Sequence, residues 1–190
     1  MKKFVLILGG ARSGKSSYAV ELAKRFSASA KGRCASGARG GKKKVVFIAT
    51  ATLPDREMEK RIKLHKASRP RHWKLIEEGK DVNSILSKLN SRYGIVLIDC
   101  LGLLISNLLA SNLKDRDIEK RIKRLINSIL RINFTTILVS NEVGSGIVPE
   151  NHLARRFRDL LGLSNQMITK KADEVIFMQS GIPIKIKNSK

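Results

Sequence analysis

Apolar and polar positions alternate in blocks along this chain, and the blocks change period. Phe4-Val5-Leu6-Ile7-Leu8 is a continuous apolar run that predicts a strand, and a helix follows it from Lys15 to about Phe26. Val45-Val46-Phe47-Ile48-Ala49-Thr50 is a second, β-branched run. Thr52-Leu53-Pro54-Asp55 then carries a helix-start signal, with a cap at Thr52, a proline in the first turn and an acid three residues after the cap. That helix runs to about Lys66 and stops before Pro70, since the residue ahead of a proline is pushed out of the α region. Met58, Arg61, Ile62 and His65 share one of its faces, so His65 looks inward. Gly94-Ile95-Val96-Leu97-Ile98-Asp99 predicts a buried parallel strand ending in a carboxylate. From Asp115 to Asn133 the apolar residues Ile118, Ile122, Leu125, Ile126 and Ile129 recur at helical period among lysines and arginines. The strand Thr135 to Ser140 leads into a loop, Asn141 to Glu150, and a helix from about Asn151 to Lys171. The strand Glu174 to Met178 and a hairpin-like tail, Ser180 to Lys187, close the pattern. Strands alternating with helices give an α/β fold with a central, mostly parallel sheet covered on both faces.

Between the first strand and the first helix lies Gly9-Gly10-Ala11-Arg12-Ser13-Gly14-Lys15-Ser16, a complete G-x-x-x-x-G-K-S phosphate-binding loop. The glycines let backbone N–H groups curl around phosphates. Lys15 reaches the β/γ oxygens, the Ser16 hydroxyl takes Mg²⁺, and the helix dipole points its positive end at the same anion. The chain therefore binds a nucleoside triphosphate. Asp99, at the carboxyl end of a parallel strand, has the form of the second nucleotide motif: an acid that holds the Mg²⁺ or its water beside the loop. The two glycines and the proline of 141–150 mark another loop at a strand end, where α/β sheets place ligand sites.

With 190 residues, the chain suits one catalytic domain over 1–190. It has no run of about 18 apolar residues and no cleavable signal pattern, which predicts a cytoplasmic protein without a transmembrane segment. Its two cysteines, Cys34 and Cys100, form no framework or metal-ligand spacing and read as free thiols. The formal charge of +22 attracts polyanions whether or not binding them is the task. Its largest cluster, Ser27 to Lys44, holds Lys31, Arg33, Arg39, Lys42, Lys43 and Lys44 among Gly, Ala and Ser, and predicts a flexible basic insertion over 27–44. No aromatic residue interleaves with it, so a stacking platform is unsupported and no specific nucleic-acid partner is expected. His72 beside Trp73 and His152 at a helix start read as ordinary surface residues.

The chain resembles the bifunctional adenosylcobinamide kinase/adenosylcobinamide-phosphate guanylyltransferase family over nearly its whole length. The resemblance rests on Gly9 to Ser16, Ile48-Ala49-Thr50, Glu57-Met58, Arg61-Ile62, His65-Lys66, Arg69-Pro70, His72-Trp73, Ser106-Asn107-Leu108-Leu109, Asn141-Glu142-Val143-Gly144, Ile147 to Asn151 and Ala172-Asp173-Glu174-Val175. It implies a P-loop NTPase (RecA-like) fold. It also implies an enzyme that phosphorylates the aminopropanol hydroxyl of adenosylcobinamide with ATP or GTP, and then transfers GMP from GTP to adenosylcobinamide phosphate through a guanylylated histidine. Carried over by position, that histidine is His65. Nucleotide contacts fall on the phosphate loop, on Ala49, Thr50 and Ala51, on Lys66, Ala67, Ser68 and Arg69, on Glu77 and on Asp99. The metal donors are Ser16 and Asp99, and the assembly implied is a homotrimer. Lys66 and Arg69 beside the nucleophile can neutralise charge on a pentacoordinate phosphorus and favour the neutral imidazole. Three features depart from the family: the long 27–44 stretch, Leu64 where some members carry an adjacent histidine, and Asp99 where a glutamate also occurs. Two other readings are a kinase-only relative, which would take no label from α-labelled GTP, and a nucleic-acid-binding P-loop protein, suggested by charge alone.

Overall fold

In the computed structural model, residues 2–29, 43–51 and 70–188 are described. The expected helix from Thr52 to Lys66, with His65 on it, lies outside the described residues, as do Lys66 to Arg69, the interior of the basic stretch and Cys34. The elements are β1 (Phe4–Gly9), α1 (Lys15–Ser29), β2 (Lys44–Ala49), β3 (Lys74–Glu77), α2 (Val82–Lys88), β4 (Tyr93–Asp99), α3 (Leu101–Ala110), α4 (Asp115–Arg131), β5 (Thr135–Val139), α5 (His152–Lys171), β6 (Glu174–Gln179) and β7 (Ile182–Asn188).

The strands form one sheet in the order β3-β2-β4-β5-β1-β6-β7. All neighbours pair in parallel except β6 and β7. The α/β class expected from the alternating pattern is thus observed. Parallel pairing brings the carboxyl ends of β1 to β6 to one edge: Ala49 is in register with both Glu77 and Asp99, and Asp99 with Val139. Successive residues of a strand point to opposite faces, which divides the core in two. Leu6 and Leu8 pack with residues of α2 to α5, whereas Val5 and Ile7 pack against Ala19, Val20 and Ala23 of α1. The sheet is therefore covered on both faces. No helix among the described residues is long and apolar enough to cross a membrane.

Some boundaries differ from the pattern reading. The flexible reading of 27–44 does not hold at the two ends that are described. Helix α1 continues to Ser29 and β2 already starts at Lys44, and the Ser27 hydroxyl donates to the Lys43 carbonyl at 2.7 Å, joining the two ends. Three elements had no expectation at all: β3, α2 and α3. The expected tail is a full strand, β7, joined to β6 by the two-residue turn Ser180-Gly181. Both turn residues have positive φ, 50° and 84°, as the tight right-twisting hairpin turn requires.

Glu174 staples this end of the sheet. Its buried carboxylate accepts from Lys3 and, at 2.8 Å, from Lys185. Burial pushes its pKa up, but the bonds and charge of the two lysines win and hold it below the ordinary carboxylate value. The staple's contribution is therefore fully present above the unfolded pKa, near 4.3, and is lost as pH falls through the lower folded value. Acid-unfolding curves of Glu174→Gln should be flatter than those of the native chain below about pH 4. Identical acid limbs would remove the staple from the account.

Candidate nucleotide site at the carboxyl edge of the sheet

The loop between β1 and α1 has the backbone that a phosphate cradle needs. Gly9 and Gly14 take φ values of +154° and +90°, and a Cβ on Gly9 would stand 2.5 Å from the Met178 carbonyl oxygen and 2.8 Å from the Ser13 hydroxyl. No side chain fits there. Arg12 also takes a positive φ, 53°, at the exposed tip of the loop. Behind the loop, the Gly181 N–H of the β6–β7 turn donates to the Ser13 carbonyl at 3.1 Å, so the hairpin braces it.

Lys15 opens α1 and is buried, with 8% of its surface exposed. Its ammonium donates to the Gly10 carbonyl and, at 3.4 Å, to the Ser13 hydroxyl. Desolvation lowers its pKa, while the nearby Cys100 and Asp99 oppose that shift. A desolvated cation resting on neutral oxygens gains most from an arriving anion, which is what phosphate oxygens supply. Ser16 follows it in the first turn of the helix.

The neighbouring strand ends are locked by buried polar contacts. Thr50, just past β2, accepts from the Cys100 N–H at 2.8 Å and donates to the Cys100 carbonyl at 2.7 Å, which fastens β2 to the end of β4. The Asp99–Cys100 peptide is cis. Asn107 of α3 donates from one amide nitrogen to the carbonyls of Thr50 and Gly79, at 2.8 and 3.0 Å. Past β5, Ser140 donates to Asn165 Oδ1 at 2.6 Å, and Asn165 Nδ2 donates to the Asn141 carbonyl at 3.0 Å. Cys100 Sγ lies 3.6 Å from Asn141 Oδ1. Burial first, and the Asp99 charge second, push the Cys100 thiol up to about 12, so it is a neutral packing group near pH 7.

The sequence-predicted residues divide accordingly. Gly9 closes β1, Gly10, Ala11, Arg12, Ser13 and Gly14 form the loop, Lys15 and Ser16 open α1, Ala49 ends β2 with Thr50 and Ala51 just past it, Glu77 ends β3 and Asp99 ends β4. All of these lie at the same edge. Thr50 has no exposed surface, and its hydroxyl is committed to Cys100, its N–H to the Asp99 carbonyl and its carbonyl to Asn107, so it braces the strand ends. Glu77 is exposed on the outermost strand. His65, Lys66, Ala67, Ser68 and Arg69 lie outside the described residues. His72 is exposed in the turn before β3 and His152 is exposed at the start of α5, as expected of surface residues. The pattern reading missed the positioning frame of Asn107, Ser140, Asn141 and Asn165. Its available signal was an asparagine inside the apolar run Leu101 to Ala110.

Among the described residues no three His, Cys, Asp or Glu side chains converge as a self-sufficient metal cage. Ser16 offers a hydroxyl and Asp99 a carboxylate on the same edge, hard oxygen donors of the kind that suit a Mg²⁺ ion whose other positions are filled by nucleotide oxygens and water. The residues present fit that group.

A glycine loop joining a central strand to a helix, with a buried lysine and an acid on the adjoining edge, defines a P-loop NTPase of the α/β class. A solved protein from Pyrococcus horikoshii OT3 shares this fold, with a TM-score of 0.57 over 99% of this chain and 87% of that one at 14% identity. The family model described as cobinamide kinase / cobinamide phosphate guanyltransferase matches residues 5–186. The chain is 35% identical to the bifunctional adenosylcobalamin biosynthesis protein CobU of Escherichia coli strain K12, over 96% of this chain and 99% of that protein. It is 36% identical to the protein of the same name from Salmonella typhimurium strain LT2, with the same coverage. Against the bifunctional adenosylcobalamin biosynthesis protein CobP of Pseudomonas aeruginosa it is 37% identical, over 96% of each chain. This chain belongs to the cobinamide kinase / cobinamide phosphate guanyltransferase family.

Proposed function

We propose that this chain is the bifunctional enzyme of adenosylcobalamin assembly, working as one catalytic domain over residues 1–190. In the first reaction the loop Gly9 to Ser16 binds ATP or GTP, and Lys15 neutralises charge on the β/γ oxygens as the γ-phosphoryl group passes to the aminopropanol hydroxyl of adenosylcobinamide. Ser16 and Asp99 hold Mg²⁺, which when bound neutralises charge on the phosphate oxygens. In the second reaction the neutral imidazole of His65 attacks the α-phosphorus of GTP, and pyrophosphate leaves. Adenosylcobinamide phosphate then takes the GMP, releasing the imidazole and forming adenosylcobinamide-GDP. Lys66 and Arg69 offset charge at that phosphorus, while Ala67, Ser68, Ala49 to Ala51 and Glu77 contact the nucleotide.

One observation carries the reading: a buried lysine inside a complete phosphate loop, beside Asp99, in a chain of this family. Incubating the protein with adenosylcobinamide and ATP, then adding GTP, should give the phosphate and the GDP ester in that order by mass spectrometry. Absence of the first product overturns the kinase assignment, and absence of only the second leaves a kinase-only relative.

The same reading makes the enzyme a cytoplasmic homotrimer. Its support is an apolar surface at the mouth of the 141–150 loop, where Ile147, Val148 and Leu153 are 95%, 60% and 56% exposed. Such a cluster suits burial against another subunit. Sedimentation velocity should find the native chain at three protomers and Ile147→Asp shifted toward the monomer. An unshifted Ile147→Asp trimer would remove this loop from the interface.

A further inference from the structure

Strand β5 stands between β4 and β1, so the chain leaving it emerges between Asp99 and the phosphate loop. The third residue out is Glu142. Its backbone N–H donates to the Gly9 carbonyl at 2.9 Å, pinning it to the residue that begins the loop. The residue before it, Asn141, is fixed through its carbonyl by Asn165 and through its side chain by Cys100. Glu142 is half-buried, whereas residues 143–148 are exposed. It is thus set in place by a buried polar frame.

The other carboxylates at this edge are less well placed, and Glu150 is exposed at the far end of the same loop. Asp99 is a metal donor in the proposed reaction. Glu77 lies on the outermost strand, two strands beyond Asp99 and further from the loop, and the Glu78 carboxylate accepts from the Lys80 and Asp81 N–H groups at 2.8 and 2.9 Å. His72 precedes β3 and so belongs to the opposite edge. Transfer of a phosphoryl group to an alcohol releases the hydroxyl proton, and a positioned carboxylate is the usual acceptor.

We propose that Glu142 is the general base of the kinase half-reaction, an inference that rests on the bifunctional reading above. The acceptor hydroxyl oxygen forms its bond to the γ-phosphorus as the bond from that phosphorus to the β-phosphate oxygen breaks. The hydroxyl proton passes to the Glu142 carboxylate, the nucleoside diphosphate leaves with the bridging electron pair, and Glu142 later returns the proton to water. Guanylyl transfer needs no such base, because a neutral imidazole and an ionised phosphate are the two nucleophiles. Glu142 therefore serves one of the two reactions.

Glu142→Gln separates this role from a structural one. Glu142 Oε1 accepts from the Gly144 N–H at 2.6 Å, and a glutamine keeps that acceptor while losing the basic carboxylate. The expected result is a fall in the kinase kcat of about 10²- to 10³-fold and loss of the acid limb of its pH profile. Nucleotide affinity, and GMP transfer from GTP to supplied adenosylcobinamide phosphate, should stay within about threefold of the native protein, the scatter of an uninvolved surface change. A kinase kcat within that range, an unchanged acid limb, or a parallel fall of both reactions would overturn the proposal. A native protein that fails to phosphorylate adenosylcobinamide in the same assay would instead remove the reading on which it rests.

Discussion

Lys15→Ala should abolish phosphoryl transfer from ATP while the protein stays folded. Its ammonium is buried on the Gly10 carbonyl and the Ser13 hydroxyl, with its pKa lowered by desolvation. In the proposed phosphorylation step it would be the main side-chain charge facing the β/γ oxygens, and removing one such electrostatic contact typically costs on the order of 10² or more in rate. The fold loses little, because alanine replaces a buried charge whose partners are neutral and the helix-forming propensity at the start of α1 is kept. Steady-state kinase assays and thermal melting on the same preparation check both halves. Full activity in a folded Lys15→Ala protein would sink the phosphate-loop assignment.

The second large effect concerns the other half of the chemistry. His65→Ala should reduce the covalent guanylylated species to background while leaving triphosphate binding by Gly9 to Ser16 measurable. The two tasks are assigned to separate segments of the chain: one cradles phosphates with backbone N–H groups, the other supplies a nitrogen nucleophile. Without the imidazole no phosphoramidate can form, and Leu64 beside it offers no substitute. Trapping α-label from GTP as an acid-labile, base-stable adduct checks this. Undiminished adduct in His65→Ala would move the nucleophile to another residue.

The elements legible in the sequence were those whose pattern is local. The apolar run of β1, the glycines after it and the strand ending in Asp99 carried their identity in consecutive residues. The stripe from Ile118 to Ile129 carried it in a helical period, because α4 is covered on one side only. Helix α3 escaped for the opposite reason: Leu101, Leu104, Ile105, Leu108 and Leu109 are buried among other apolar residues, so the run shows no polar face to mark its period. The short edge strand β3, Lys74–Glu77, has three exposed residues and one half-buried, and does not alternate. What makes it a strand is pairing with β2, which is a long-range fact. The site divides similarly. The phosphate loop is one contiguous motif, whereas Cys100 with Thr50, or Ser140 with Asn165, meet only after the sheet has formed. Glu142 acquires its place from the strand order, since only the insertion of β5 between β4 and β1 puts it beside Gly9.

The most direct test of the bifunctional reading is a pulse and chase with GTP labelled at the α-phosphorus. The purified protein should take up label with release of pyrophosphate, and unlabelled adenosylcobinamide phosphate should then remove it as labelled adenosylcobinamide-GDP. Protein that transfers the γ-phosphoryl group to adenosylcobinamide yet never acquires α-label would contradict that reading.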